Sequence, residues 1–284
     1  MIDLHVHSTF SDGSDTPEEL VRIATEGGLS ALSLTDHDTT AGLARFAAAC
    51  DEFALRGIPG VEVSAELSPG TLHMLGYFIV AGHEQLEDTL RRVRAGRSKR
   101  NDGIFRKLEE LGFPLTREEV EAYAGDEVVG RPHFAQAMLA RGYASSKEEV
   151  FEKYLAKGKP AYVDRWRPQP EESIAVIRAA GGVPVLGHPF TLRMSSNALR
   201  AFVRTLADAG LGGIEVYYPE HRPAQVREYL QLAKHFDLVP TGGSDYHGNI
   251  TPDIRLGRGF GSLDVPEDAV TELQNRTPQS RETE

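Results

Sequence analysis

The first twenty residues, MIDLHVHSTFSDGSDTPEEL (1–20), contain a strand, a turn and a helix start. Residues 2–6 alternate in character and read as a short strand. Thr16-Pro17-Glu18-Glu19 has the pattern of a capping box with proline at the first helical position, which predicts a helix to about Gly27. His5 and His7 stand two residues apart at the strand end, so both rings point to one face. Gly13 is expected to let the following loop turn sharply beside Asp12.

The plan repeats along the chain. LSALSLTDHD (29–38) predicts a strand near 30–34 and a loop carrying Asp36, His37 and Asp38, ahead of a helix through AGLARFAAACDEFALR (41–56). IPGVEVSAEL (58–67) and TLHMLGYFIV (71–80), split by Ser68-Pro69-Gly70, read as a β-hairpin. From about residue 83 to 164 the chain is mostly helical, charged and strand-poor. Strand and helix then alternate again. PEESIAVIRAA (170–180) leads into GVPVLGHP (182–189), a helix over 196–209 into GIEVYY (213–218), and a helix over 223–235 into LVPTGGSDYH (238–247). Such units imply an α/β fold with a parallel sheet covered by helices, either a barrel or a doubly wound sheet. The expected division is a main domain over 1–98 and 165–275, a helical insertion over 99–164 and a polar tail over 276–284.

Composition narrows the class. A chain of 284 residues fits one large domain or one domain with an insertion. Hydrophobic content of 40% and charged content of 26% are ordinary for a soluble globular protein. A formal net charge of −11 does not attract phosphate polymers, so nucleic-acid binding needs a local basic patch. The sequence shows neither the apolar run of about 18 residues that a spanning helix requires nor the pattern of a secretory signal. Cys50 is the single cysteine, which excludes an internal disulfide and suits a reducing cytoplasm, the expected location.

The reactive residues gather at strand ends. His5 and His7 close the first strand, His37 follows the second, His73 lies on the hairpin, and His188 and His247 follow later strands. Asp12, Asp36, Glu62 and Asp245 share these positions. In parallel α/β architectures, loops at the carboxyl ends of strands meet on one face, where active sites form. A single loop histidine is usually a hydrogen-bonding surface residue; six on corresponding edges, with carboxylates, point to a metal site. Mixed imidazole and carboxylate donors suit Zn, Mn or Fe.

These residues are similar to those of the polymerase and histidinol phosphatase (PHP) family of metal-dependent phosphoesterases. The resemblance rests on DLHVHSTFSDG, LTDHD, GVEVS, LHMLGY, LGHP and GGSDYHG, in family order across nearly all of residues 1–250. GRPHFAQAM (130–138) and GKPAYV (158–163) bring it closest to the branch of nucleoside 3′,5′-bisphosphate phosphatases and 5′-to-3′ exoribonucleases. The resemblance implies a distorted (β/α)7 barrel with a helical insertion and two to three divalent ions. One ion would take His5, His7, Glu62 and Asp245; a second would share Glu62 and add His73 and His188; a third would take Asp12, His37 and His247. The expected chemistry is hydrolysis of a phosphate ester by a metal-bridging hydroxide, most simply the 3′-phosphate of a small nucleotide.

Asp36 and Asp38 are expected to orient ligands or accept a proton, Asp38 having a helix N-cap as its alternative role. Ser8 and Ser244 read as loop hydrogen-bonders. Arg131 and His133 start a helix and are candidate phosphate contacts, the alternative being a plain helix cap. Lys157, Lys159, Arg165 and Arg167 form a basic cluster interleaved with Tyr162 and Trp166, on which a base can stack. Glu215, Tyr217 and His221 are expected to face the site, His221 as leaving-group acid or phosphate contact, whereas Arg94, Arg97, Lys99 and Arg100 read as a solvated helix face. The expected partners are a small nucleotide or short RNA, with no membrane and no obligate protein partner. A short-RNA exonuclease and a polymerase-associated PHP module are the alternative functions, and an amidase on the same metal scaffold is disfavoured by the cationic residues.

Overall fold

Seven strands carry out the alternation seen in the sequence. They are Ile2–Val6 (β1), Ala31–Leu34 (β2), Arg56–Ala65 (β3), Leu72–Tyr77 (β4), Val183–Leu186 (β5), Gly213–Tyr217 (β6) and Val239–Gly242 (β7), ordered along the sheet as along the chain. The computed structural model describes residues 1–124 and 129–278; residues 279–284 of the expected polar tail lie outside the described residues. β4 runs antiparallel to both β3 and β5, while the other neighbouring pairs are parallel. This reversal is the expected hairpin, with Glu62 opposite Leu75 and Ser64 opposite His73.

Beyond β7 the chain returns to β1. Val6 pairs in parallel with Tyr246, the His7 N–H donates to Tyr246 O at 2.9 Å, and the Asp245 N–H donates to His5 O at 2.8 Å. The sheet is thereby nearly closed, a distorted barrel with one reversed strand. Gly243 permits the approach: a Cβ there would lie 2.3 Å from His5 Cβ. Gly13 has a similar reason to be glycine, because a Cβ would stand 2.2 Å from His7 O. Room, beyond the freedom to turn, therefore requires glycine at position 13.

Helices Pro17–Glu26 (α1) and Leu43–Phe53 (α2) cross between the first strands. The expected capping box forms, with the Thr16 N–H donating to Glu19 Oε2 at 2.8 Å and the Glu19 N–H to Thr16 Oγ1 at 3.3 Å. α1 buries Leu20, Val21 and Ala24 along its inner stripe. Next come Glu84–Glu110 (α3), Arg117–Ala124 (α4), Arg131–Ala140 (α5) and the short Lys147–Val150 (α6). Pro170–Ala179 (α7), Ser196–Asp208 (α8) and Pro223–His235 (α9) separate the later strands.

A final helix, Asp268–Gln274 (α10), has no counterpart among the sequence expectations. Its Ala269, Val270 and Leu273 pack with Ile2, Ala31, Ile58, Tyr77, Val183 and Val239. In the parallel strands these residues belong to the amino-terminal halves, so α10 covers the barrel end opposite the reactive residues.

The chain divides into two compact units, Met1–Arg91 with the chain from Arg167 onward, and Arg92–Trp166. The second has a core of its own, including Ile104, Leu108, Phe134, Met138, Val150 and Leu155. Each such side chain, fully buried, contributes about 1.5–3 kcal/mol from its removal from water. α3 runs unbroken from the first unit into the second, so no punctuation in the sequence marks where the second begins. Arg100, expected on a solvated face, is buried and donates to Val129 O at 3.3 Å. Among the described residues no helix is long and apolar enough to cross a membrane.

Candidate metal centre

All seven strands deliver side chains to one end of the barrel. β1 brings His5 and His7, the turn after β2 brings Asp36, His37 and Asp38, β3 brings Glu62 and β4 brings His73. His188 follows β5, Glu215 lies on β6, and Asp245 and His247 follow β7. Glu62, only 1% exposed, is the hub. Its Oε2 lies 3.2 Å from His5 Nε2, 3.2 Å from His7 Nε2 and 3.1 Å from His37 Nδ1. Its Oε1 lies 2.7 Å from His73 Nδ1 and 2.9 Å from His188 Nε2.

Three overlapping groups of donors are close enough to share an ion. They are His5, His7, Glu62 and Asp245; His7, Asp12, His37 and His247; and His37, Glu62 and His73. His188 adjoins the last group, with its Nε2 3.3 Å from His73 Nδ1. His7, His37 and Glu62 thus each stand in two groups. His7 Nε2 and His37 Nδ1 are buried without a hydrogen-bond partner, although carboxylate oxygens lie close by. Ring nitrogens this close to carboxylates, in a nitrogen and oxygen donor set without thiolate, fit a divalent cation.

Mutual attraction overcomes burial in this pocket. Burial pulls the His5 imidazole down, yet Asp245, Glu215 and Glu62 hold its pKa well above the ordinary range. His7 is pushed up to about 10 in the same way, against burial, by Asp245, Glu62 and Asp12. Glu62 and Asp245 stay well below the carboxylate range, also against burial, because imidazoles surround them. For His37 burial dominates and lowers its pKa to about 4. Protons therefore hold the carboxylates and several imidazoles together, and a cation that displaces them meets a charge-complementary set.

Neighbours fix the rings. Glu215 Oε1 lies 3.0 Å from His5 Nδ1, and its Oε2 accepts the His188 N–H at 2.6 Å. His247 Nδ1 lies 2.8 Å from Asp245 O, which can only accept, so Nδ1 carries a proton and Nε2 is turned toward Asp12 Oδ1 at 3.3 Å. Tyr218 Oη donates to Asp245 Oδ2 at 2.8 Å. Tyr218 escaped the sequence reading because alternation from Glu215 selects Tyr217; the pairing register shifts between Glu215 and Tyr217. Ser11 was also missed. Its Oγ donates to Asp36 Oδ1 at 2.6 Å, and only the tertiary turn reveals that bond.

Asp36 and Asp38 are buried and hold serines. Asp36 accepts the Ser8 N–H at 2.8 Å and the Ser8 hydroxyl at 2.7 Å; Asp38 accepts the Ser64 N–H at 2.8 Å and the Ser64 hydroxyl at 2.9 Å. His221 sits among Phe190, Tyr218 and Tyr229, its Nδ1 2.9 Å from Val216 O. Burial lowers its pKa, and its Nε2 has no hydrogen-bond partner. Such a ring accepts at Nε2 and holds no proton to give there. It lines a cavity of about 560 Å³ with Tyr217, Arg227 and Phe260.

The phosphate candidates lie in the second unit. Arg131 begins α5; its Nη1 donates to Leu155 O at 3.3 Å and its guanidinium carbon stands 5.5 Å from the Tyr162 ring centre. His133 Nδ1 accepts the Gly130 N–H at 3.1 Å and so caps the same helix. Lys157 and Lys159 are exposed and Arg165 is half-buried. Trp166 carries the Arg92 guanidinium over its ring at 3.9 Å. Arg167 belongs to the barrel unit, where Glu66 Oε2 accepts from its Nε at 2.9 Å and its Nη2 at 2.7 Å, so its charge is balanced.

The chain is similar to known proteins over most of its length. The PHP domain family model matches residues 3–158. The 5′-3′ exoribonuclease Rnm of Escherichia coli K12 is 36% identical over 258 residues, 90% of this chain and 88% of its own. The 3′,5′-nucleoside bisphosphate phosphatase of Chromobacterium violaceum is 35% identical over 250 residues, 87% of each chain. A solved structure from Bifidobacterium adolescentis, assigned as a metal-dependent phosphoesterase, superposes with a TM-score of 0.79 at 32% identity. The match covers 97% of this chain and 96% of the other.

Proposed function

Because the chain belongs to the PHP domain family and is a metal-dependent phosphoesterase, we propose that it removes the 3′-phosphate of nucleoside 3′,5′-bisphosphates. The observation that carries hydrolysis is the convergence of Glu62 and five imidazoles within 2.7–3.2 Å at one buried point. The choice of substrate rests on the Chromobacterium phosphatase and on the acidic total of this chain, which favours a small anion over a long one.

Two or three divalent ions, Mn, Zn or Fe, acidify water and neutralise phosphoryl and leaving-group oxygens when bound in such a centre. His5, His7, Glu62 and Asp245 would hold one; Glu62, His73 and His188 another; Asp12, His37 and His247, with His7 adjoining, a third. Glu215 orients His5, and Tyr218 orients Asp245. The oxygens of Asp36 and Asp38 are engaged by serine donors, which favours loop-holding over proton transfer. Arg131, at a helix start and backed by Tyr162, is suited to grip the second phosphate. Lys157, Lys159, Arg165 and His133 are supporting contacts in this reading, and His221 is an acceptor toward substrate.

A second reading, 5′-to-3′ hydrolysis of short RNA, has the Escherichia coli relative in its favour. One assay separates them. With added Mn, phosphate release is measured from 3′,5′-bisphosphates and monophosphates, and mononucleotide release from oligoribonucleotides. The leading reading requires the bisphosphate to be turned over fastest. Activity confined to oligomers, with a steep salt dependence, rejects it.

A further inference from the structure

The loop after β7 carries Asp245 and pairs with β1 through the Asp245 N–H on His5 O at 2.8 Å and the His7 N–H on Tyr246 O at 2.9 Å. Asp245 is left-handed, with φ +53, a conformation that non-glycine residues keep only where surroundings impose it. What imposes it includes Asp3, which sits fully buried on β1. Asp3 Oδ1 accepts the Ser244 N–H at 2.8 Å and the His5 N–H at 3.2 Å. Its Oδ2 accepts the Ser244 hydroxyl at 2.5 Å and the Gly257 N–H at 2.7 Å. One carboxylate therefore joins β1, the β7 loop and the segment at Gly257.

The grip is a repeated device. Asp3 on Ser244, Asp36 on Ser8 and Asp38 on Ser64 each take the backbone N–H and the hydroxyl of one serine, at 2.5–2.9 Å. Ser244 adjoins Asp245, Ser8 adjoins His7, and Ser64 lies two residues past Glu62. Three buried carboxylates thus each pin a serine within two residues of a candidate ligand.

We propose that Asp3 is a positioning residue for the metal centre, which sets Asp245 and His5 as a preformed pair of ligands. The inference rests on the metal-centre reading above. Asp3 touches neither ion nor substrate; it acts through the loop. A carboxylate is required because each of its oxygens faces at least one backbone N–H, so the amide nitrogen of asparagine opposes a donor in either orientation.

The test is binding of Mn²⁺ alone, by calorimetry with metal content checked by mass spectrometry, on the parent chain, Asp3→Asn and Ser244→Ala. The melting temperature of each metal-free protein is recorded beside it. Asp3→Asn is expected to lose about ten- to a hundred-fold in affinity, the loss typical when a partner of a metal ligand is removed. Ser244→Ala removes one of four donors, so it should lose several-fold while its metal-free melting temperature stays with the parent; it also decides the matter if Asp3→Asn does not fold. Parent-like affinity and stoichiometry in the folded variants overturn the inference and leave the centre standing. So does an affinity loss in Ser244→Ala matched by a comparable fall in metal-free stability. A parent that takes up no Mn²⁺ overturns the centre and the inference together.

Discussion

Glu215 stands behind His5, one oxygen 3.0 Å from the imidazole Nδ1 and the other on the His188 N–H at 2.6 Å. The first contact turns His5 Nε2 toward Glu62 and Asp245; the second fixes the turn that carries His188. Both oxygens face donors, so a glutamine must set its NH2 against one of them. Glu215→Gln should lower kcat about ten- to a hundred-fold at saturating metal, with KM little changed, because the substituted group orients ligands and does not touch substrate. Steady-state kinetics on a phosphate ester measure this; a parent-like kcat would remove Glu215 from the ligand-orienting role.

Glu62 shares its two oxygens among five imidazoles. Glu62→Ala removes the carboxylate that is common to two of the donor groups, and with it the anionic donor that the surrounding rings share. Bound metal should fall toward zero and turnover below detection, as read by metal analysis of purified protein and a phosphate-release assay. Full metal content with full rate would show that the donors are assigned wrongly.

Much of this was legible in sequence, and the parts that were not have a common cause. His5 and His7 announce a shared face because a strand has period two, and Thr16 to Glu19 announce a helix start because capping is local. The roles of Asp3, Ser11 and Tyr218 depend on contacts between residues distant in the chain or on a register shift, which no local pattern encodes. α10 is short, follows a loop, and owes its place to the barrel end it covers. Arg100 looked solvated because helix periodicity says nothing of what packs on the face.

Cys50 is buried on α2, and burial pushes its thiol up to about 12. The folded value lies above the roughly 8.5 of an open thiol, so the stability it contributes is intact below that pH and is lost as pH climbs through about 12. At pH 8 the thiolate, the reactive form, is suppressed and shielded. A thiol reagent such as Ellman's should leave the native protein unlabelled over a time in which denatured protein reacts once. Rapid labelling of native protein would mean that α2 opens readily.

Arg131 is the strongest candidate for recognising the substrate's second phosphate. Its guanidinium is already steered by Leu155 O and by the Tyr162 ring, so little side-chain freedom remains to be lost when an anion arrives. The positive end of the α5 dipole lies beside it. A hydrogen bond to a charged group contributes about 1.5–3 kcal/mol, or about ten- to a hundred-fold in binding. Arg131→Ala should therefore raise KM for a 3′,5′-bisphosphate by that factor while kcat changes little. The same variant should barely alter KM for a nucleoside 3′-monophosphate, which lacks the second phosphate. Equal losses on both substrates would place Arg131 on the phosphate that is cleaved; no loss on either would return it to a helix-start role alone.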